Sequence, residues 1–290
     1  MDTNPQGFHE ETNFLSNLPK TEWKLAANTT LLHWKGFWLM PVTIKSAISV
    51  ESQFNPLPSD ILLASFPKTG TTWLKALATA ILSHDSNPKS EYSQTDQLQT
   101  QNPHELIPFL EMETFGENPS RDINQYPSPR VFSTHLPYSI LPESIKNSGC
   151  RIIYISRNPA DTFVSSWHFT NKRFGTKISI EEAFDEFCNG IIEDPNKHVR
   201  RIAEFLGCSL SADEIEQVVL KCSFERLSKL DVNKDEERVH TWGIKFSSYF
   251  RTGVVGDGKK LLSPEMMERI ENLAKQRWEG SGLEHELFGA

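Results

Sequence analysis

The stretch DILLASFPKTGTTWLKAL, Asp60 to Leu77, constrains the fold more than any other part of the chain. Asp60–Phe66 is a short continuous apolar run that ends in the turn Pro67-Lys68-Thr69-Gly70, the pattern of a strand buried on both faces. From Thr71 to His84, the residues Trp73, Leu74, Leu77, Ala80 and Ile81 recur at helical spacing. A buried strand that turns through glycine straight into a helix aims the first amides of that helix at the space beyond the strand.

The same order returns at Arg151–Ser156 (RIIYIS), followed by the turn Pro159-Ala160-Asp161 and a helix expected to run to about Phe169. Arg130–Pro137 (RVFSTHLP) reads as a further short strand whose end is fixed by Pro137. Strands alternating with helices predict a single α/β domain with a central parallel β-sheet flanked by helices. In such sheets ligands gather beyond the carboxyl ends of the strands, where Lys68, His135 and Arg157 fall. The connection Asp85–Pro129 is too long for a bare loop, and its amphipathic piece near Glu105–Thr114 is expected to cover part of the site. Lys197–Leu206, Ser211–Leu220 and Pro264–Arg277 are predicted helices. Residues 1–20 show little apolar periodicity and read as a flexible N-terminal arm, leaving 21–290 as the domain.

With 290 residues, 38% of them apolar, the chain is long enough for a substantial core. Its formal charge of −8 argues against nucleic acid or an anionic membrane as a general partner, so an anionic ligand has to be gripped locally. Four cysteines without a CxxC pair point to neither zinc nor a redox motif, and to a reducing compartment. The polar start MDTNPQGFHEETNF lacks the order of a secretory signal, and LLHWKGFWLMPVTIKSAI is interrupted by Lys35, Pro41 and Lys45, so no membrane span is expected. The expected location is cytoplasmic.

A nucleotide loop of the form GxxxxGK[ST] carries its lysine after the glycine and uses the Ser/Thr to hold magnesium. Here Lys68 precedes Gly70, and no acidic residue closes an apolar strand in the usual metal-binding role. The backbone logic survives. Gly70 permits close approach, the amides of Gly70–Thr72 open a helix, and Lys68, Thr71 and Thr72 add side-chain donors. The residues predict phosphate binding with no metal.

FPKTGTTWLKAL resembles the 5′-phosphosulfate loop of the cytosolic (soluble) sulfotransferases, which use 3′-phosphoadenosine 5′-phosphosulfate (PAPS) as donor. STHLPYSILPESI, Ser133–Ile145, resembles the segment with that family's catalytic histidine, in plant members particularly. YISRNPADTFVSSWHF, Tyr154–Phe169, is similar to the segment that holds the 3′-phosphate. YFRTGVVGDGKKLLSPEM, Tyr249–Met266, is similar to the signature RKGxxGDWKNxxTxxM. The likeness extends over nearly the whole chain, from FWLMPVTIKSAI onward.

The resemblance implies a PAPS-dependent sulfotransferase with a P-loop-like phosphosulfate site, acting on a hydroxyl of a small apolar metabolite such as a flavonoid, steroid or hormone. It implies His135 as base and Lys68 as the group that stabilises the leaving phosphate. Lys68, Thr69, Gly70, Thr71, Thr72 and Trp73 would hold the donor, with Trp73 against adenine and Phe224 opposite. Arg157, Ser165, Arg251, Thr252 and Gly253 would bind the 3′-phosphate, and Phe169 would line the acceptor pocket. A structural pairing of Arg157 with Asp161, and a core position for Phe224, stand as the alternatives.

The chain also departs from the pattern. Thr252 replaces a lysine, and Gly258 replaces a tryptophan, which predicts a more flexible, less packed loop. Ser133 stands where animal relatives carry a further lysine and receives no catalytic role. Ser263-Pro264 stands where they carry a dimer-forming threonine-valine pair, so the oligomeric state is left open. Cys188-Asn189-Gly190 runs directly into Ile191-Ile192-Glu193-Asp194-Pro195, where relatives insert roughly 30 residues or more, one crossover unit. A strand–helix segment is therefore expected to be missing at the Gly190/Ile191 junction, with an exposed sheet edge as the consequence. Two outcomes follow: an active sulfotransferase, or an impaired nucleotide-binding descendant.

Overall fold

The computed structural model describes residues 14–23, 29–86, 97–117, 122–188, 212–240, 243–253 and 255–278. An antiparallel ribbon of order β1-β2-β3 comes first, made of β1 (Lys20–Glu22), β2 (Thr30–Trp34) and β3 (Phe37–Leu39). Lys35 and Gly36 join the last two strands at φ 47° and 91°, the paired positive angles of a tight hairpin turn. Leu15 and Leu18 pack against the core under this ribbon, and Lys20 pairs with Leu32. Within the stretch expected to be an arm, these two leucines find apolar cover while Phe14 stays exposed. Helix α1 (Pro41–Gln53) starts on Pro41, whose missing N–H costs nothing there, and turns Ile44, Ala47 and Val50 inward.

The central sheet has the order β5-β4-β6, all parallel, with β4 (Ile61–Ser65), β5 (Val131–Thr134) and β6 (Arg151–Ile155). Leu63 sits opposite both Ser133 and Ile153. All five residues of β4 are buried, as its unbroken apolar run requires. Ile61 and Leu63 face Leu74, Leu77 and Ile81 of α2 (Thr71–Ser86), while Leu62 and Phe132 meet Ile44 and Val50 of α1 on the other side. Helices therefore cover both faces of the sheet, as expected for this α/β class. Strand β5 is shorter than the sequence suggested. Arg130 stands just before it, its carbonyl accepting from the Ile61 amide (2.9 Å) while its side chain clasps buried Asp60 through Nε (2.9 Å) and a terminal nitrogen (2.5 Å), and His135 is released just beyond the strand's carboxyl end.

Helix α3 (Pro159–Phe174) is capped by Asn158, which accepts from the amides of Ala160 and Asp161, and it ends on Gly175 at φ 63°. It runs five residues past the expected end, since no breaker precedes that glycine. With α4 (Ile180–Cys188), α7 (Asp257–Leu261) and α8 (Pro264–Trp278) it forms a further core around Phe163, Val164, Phe184 and Ile270. Two more helices, α5 (Ala212–Lys221) and α6 (Phe224–Lys229), lie on the α2 side. The predicted helix Lys197–Leu206 and the Gly190/Ile191 junction fall outside the described residues. Among the described residues β6 pairs with β4 alone, and its Tyr154 is 50% exposed. No helix among them is long and apolar enough to cross a membrane.

Candidate active site

The three strands end at one rim, and the turn after β4 is bent sharply there. Lys68 adopts φ 70° and Gly70 φ 120°, the first uncommon for a residue with a side chain and the second close to glycine-only. A Cβ on Gly70 would also come within 3.0 Å of Ile155 Cδ1 on β6, so the loop hugs the sheet edge. That bend carries Lys68 back over the site, with Nζ 3.9 Å from the ring centroid of Phe169 and 5.8 Å from that of Tyr249. Burial lowers the Lys68 pKa from 10.5 to about 7, with Arg157 and Arg251 adding repulsion.

Not every loop residue faces the rim. Thr69 is buried; its hydroxyl donates to the carbonyls of Phe66 (2.7 Å) and Ile155 (3.3 Å), and its amide returns to Phe66. Thr69 thus spends both groups on shaping the turn that carries Lys68 and Gly70. Thr71 Oγ1 lies 2.7 Å from Ser65 Oγ, also in the interior. Thr72 is half-buried and Trp73 is 39% exposed on the first turn of α2.

His135 is oriented by two backbone contacts. Its Nδ1 lies 2.7 Å from the Ser65 carbonyl, and its own amide donates to Glu111 Oε1 at 2.6 Å. A carbonyl only accepts, so the hydrogen of the neutral ring sits on Nδ1 and Nε2 keeps its lone pair. Burial, with Lys75 and Lys68 as further causes, lowers the pKa to about 3, so the ring is neutral through the physiological range. Phe109 packs at 4.5 Å between centroids. The arrangement presents one aimed, unprotonated nitrogen that is able to take a proton.

A cationic patch forms beside it. Arg157 pairs with Asp161 at 3.6 Å, and Arg251 with Asp257 at 2.6 Å. The alternative for Arg157 is therefore real, yet it coexists with the convergence of Arg157, Arg251 and Lys68, which repel one another electrostatically. Asp161 does more than pair, since its two oxygens accept the amides of Gly256 and Gly258, each at 2.8 Å. Thr252 Oγ1 donates to Asp257 Oδ2 at 3.2 Å, so the residue that replaces a lysine helps hold the neighbouring carboxylate.

Gly258 overturns one expectation. It is buried inside α7, and a Cβ there would meet Ala160 Cβ at 2.6 Å and Ala160 C at 2.8 Å. The missing side chain lets α7 sit directly on the first turn of α3, so this loop is packed rather than loosened. Gly253, at φ 64°, similarly receives the ring of Phe224, whose atoms would lie 2.2–2.7 Å from an added Cβ. Phe224 is half-buried and 6.1 Å from Phe250. Asp161, Ser165 and Phe169 follow at four-residue intervals, which puts Ser165 on the stripe of α3 between the Asp161 contacts and the Lys68 contact.

Several residues at this rim were missed in the sequence. Ser65 holds both His135 and Thr71, while Glu111 holds the His135 amide from the covering segment, a π-helical turn at Leu110–Thr114. Lys75 and His104 lie buried beneath the loop. Tyr249 brings a buried hydroxyl that has no partner among the described residues. A lysine amid the apolar residues of WLKAL was the one available signal; nothing in the spacing marks the others. Among the described residues no group of His, Cys, Asp and Glu is placed to hold a metal ion.

The family model for the sulfotransferase domain matches residues 58–193 and 189–282. The chain belongs to the sulfotransferase family. This sulfotransferase is similar to cytosolic sulfotransferase 17 of Arabidopsis thaliana, 37% identical over an alignment that takes in 87% of this chain and 82% of the relative. A crystal structure of an Arabidopsis thaliana protein assigned as a steroid sulphotransferase superposes with a TM-score of 0.71 at 31% identity, covering 98% of each chain. A retinol dehydratase solved with androsterone and the inactive cofactor PAP shares the fold at a TM-score of 0.68 and 18% identity, over 96% of this chain and 95% of its own. Sulfuryl transfer is the chemistry supported for this sulfotransferase.

Proposed function

We propose that the protein moves the sulfuryl group of PAPS to a hydroxyl of a small apolar metabolite, of flavonoid, steroid or hormone type, in the cytoplasm. The observation that carries the reading is the Ser65 carbonyl on His135 Nδ1, which leaves Nε2 without a partner among the described residues at the rim where Lys68, Arg157 and Arg251 converge. An acceptor hydroxyl needs such a nitrogen, and a bisphosphate donor needs such cations. PAP in the retinol dehydratase crystal, and the cytosolic name of the plant relative, support the same assignment.

In this mechanism Nε2 accepts the hydroxyl proton as the acceptor oxygen attacks sulfur in line with the leaving 5′-phosphate oxygen. The S–O bond to that phosphate breaks, and Lys68 stabilises the charge that grows there. The imidazolium is held by the Ser65 carbonyl. Arg157, Ser165 and Arg251 with its neighbours Thr252 and Gly253 take the 3′-phosphate. The amides of Gly70–Thr72 with Thr71 take the 5′-phosphate end, Trp73 and Phe224 flank adenine, and Phe169 borders the acceptor. The protein needs no metal for this step, because the cations and helix amides supply the positive field.

The test is calorimetric titration with adenosine 3′,5′-bisphosphate against AMP, followed by an acceptor screen with wild type and His135→Ala. Binding that requires the 3′-phosphate, and transfer lost in the variant without loss of binding, is the expected result. A folded protein that treats AMP and the bisphosphate alike would refute the reading. A second reading, a descendant that binds the nucleotide but transfers poorly, is favoured by a specific observation. The family match falls into two stretches that meet at residues 189–193, and the alignment with cytosolic sulfotransferase 17 is longer than this whole chain although it uses only 87% of it. Both support a segment missing at the Gly190/Ile191 junction. Bisphosphate binding without turnover across the acceptor screen is its signature.

A further inference from the structure

Beneath the phosphate loop lies a chain of polar groups to which the transfer step gives no task. Lys75, in the second turn of α2, is fully buried, with Nζ 3.1 Å from His104 Nδ1 and 3.7 Å from the ring centroid of Phe109. His104 stacks 4.0 Å from Tyr249, and its Nε2 lies 2.8 Å from Thr72 Oγ1. His104 arrives from a short helical turn, Pro103–Leu106, that is fixed by an Asn102–Glu105 capping box. Thr72 stands at the first turn of α2, where the loop would meet the donor's 5′-phosphate.

Donor and acceptor roles run in one direction along this chain. An ammonium has hydrogens to give and no lone pair, so contact with Lys75 makes His104 Nδ1 an acceptor. Burial, then the charge of Lys75, holds His104 well below the usual histidine range, so the ring is neutral and its single hydrogen sits on Nε2. That hydrogen is donated to Thr72 Oγ1. Having accepted it, the Thr72 hydroxyl keeps its own hydrogen for another acceptor, and no protein group takes it among the described residues. Left alone, a threonine in a helix can turn its hydroxyl back onto a carbonyl of the preceding turn. Here His104 occupies the oxygen and holds it off that carbonyl.

We propose that Lys75 and His104 are positioning residues for the donor, fixing the Thr72 hydroxyl as an obligate hydrogen-bond donor to the 5′-phosphate. The inference rests on the donor reading above. It also accounts for a buried lysine on the sheet-facing helix, where an apolar residue would pack at lower cost. Burial lowers Lys75 from 10.5 to about 7, against the pull of Glu113 and Glu111, so the ammonium form predominates at pH 6.5, where the test is run.

Calorimetry with adenosine 3′,5′-bisphosphate at pH 6.5 would compare wild type, Thr72→Val, His104→Phe and the double variant. Phenylalanine keeps the stack on Tyr249. Each single change is expected to weaken binding roughly tenfold, the loss of one hydrogen bond to a charged group, and the double variant no further. Thr72→Ser keeps the hydroxyl, and is expected to restore both the affinity and its sensitivity to His104→Phe. Adenosine 3′-monophosphate, which lacks the 5′-phosphate, is expected to bind all variants alike. Losses that add in the double variant would overturn the proposal and leave the donor reading standing. Wild type that binds no bisphosphate would remove the donor reading, and this inference with it. Should His104→Phe fail to fold, Lys75→Met takes its place in the same cycle, with the same two outcomes.

Discussion

The hydrogen bond from His135 Nδ1 to Ser65 and the burial of the ring together set how activity should respond to substitution and to pH. His135→Asn is expected to lower turnover by about 10²–10⁴, the usual weight of a general base, with bisphosphate affinity unchanged in calorimetry. Lys68 gives a different signature. In the unliganded protein it is charged below about pH 7 and neutral above it. Phosphate selects the charged form, so affinity should be greatest below that pH and fall as pH rises through it. Binding at pH 7.5 should therefore draw a proton from the buffer, seen as an apparent enthalpy that depends on buffer ionisation. Lys68→Arg, charged throughout, should remove most of that uptake. At this scale the sequence showed the residues at strand ends, because a residue after an apolar run must emerge at the rim. It hid Ser65, His104 and Glu111, since bonds to a carbonyl, a loop hydroxyl or a distant amide have no period to betray them.

Helices α3 and α7 act as a pair joined by Asp161, which takes the amides of Gly256 and Gly258 while facing Arg157. Asp161→Ala would strand both amides, one of them buried, at about 1–3 kcal/mol for each that finds no water. We expect a lower urea midpoint together with weaker bisphosphate binding; a change in affinity at unchanged stability would show that Asp161 acts on the ligand alone. The continuous run in β4 was legible because a strand covered on both faces has no reason for polar residues, whereas in β6, which reads the same way in the sequence, only Ile153 is fully buried. The ribbon β1–β3 was not legible, since strands of three to five residues with mixed exposure give too few repeats to read. Gly258 misled for a related reason: a glycine in a sequence signals freedom, and only the neighbouring Ala160 shows that it serves close approach.

For the molecule as a whole, the feature that matters is the edge strand β6, half exposed at Tyr154 and paired on one side among the described residues. If a crossover unit is missing at Gly190/Ile191, grafting the corresponding segment of cytosolic sulfotransferase 17 there should raise the melting temperature and the monodisperse fraction on gel filtration. No gain in either would indicate that the shorter chain is already self-sufficient. The α/β class followed from the order of strands and helices, whereas the edge could be inferred only from what the family adds. Strand β4 has a last consequence. Its final residue holds His135 through its carbonyl and the loop that follows the strand through its hydroxyl, by way of Thr71. Ser65 is thus a common datum for the histidine and the loop, a gauge block machined into the most buried strand. Side chains elsewhere on the rim, such as Phe169 on α3, can change without altering that spacing, because neither of the two bonds that set it passes through them.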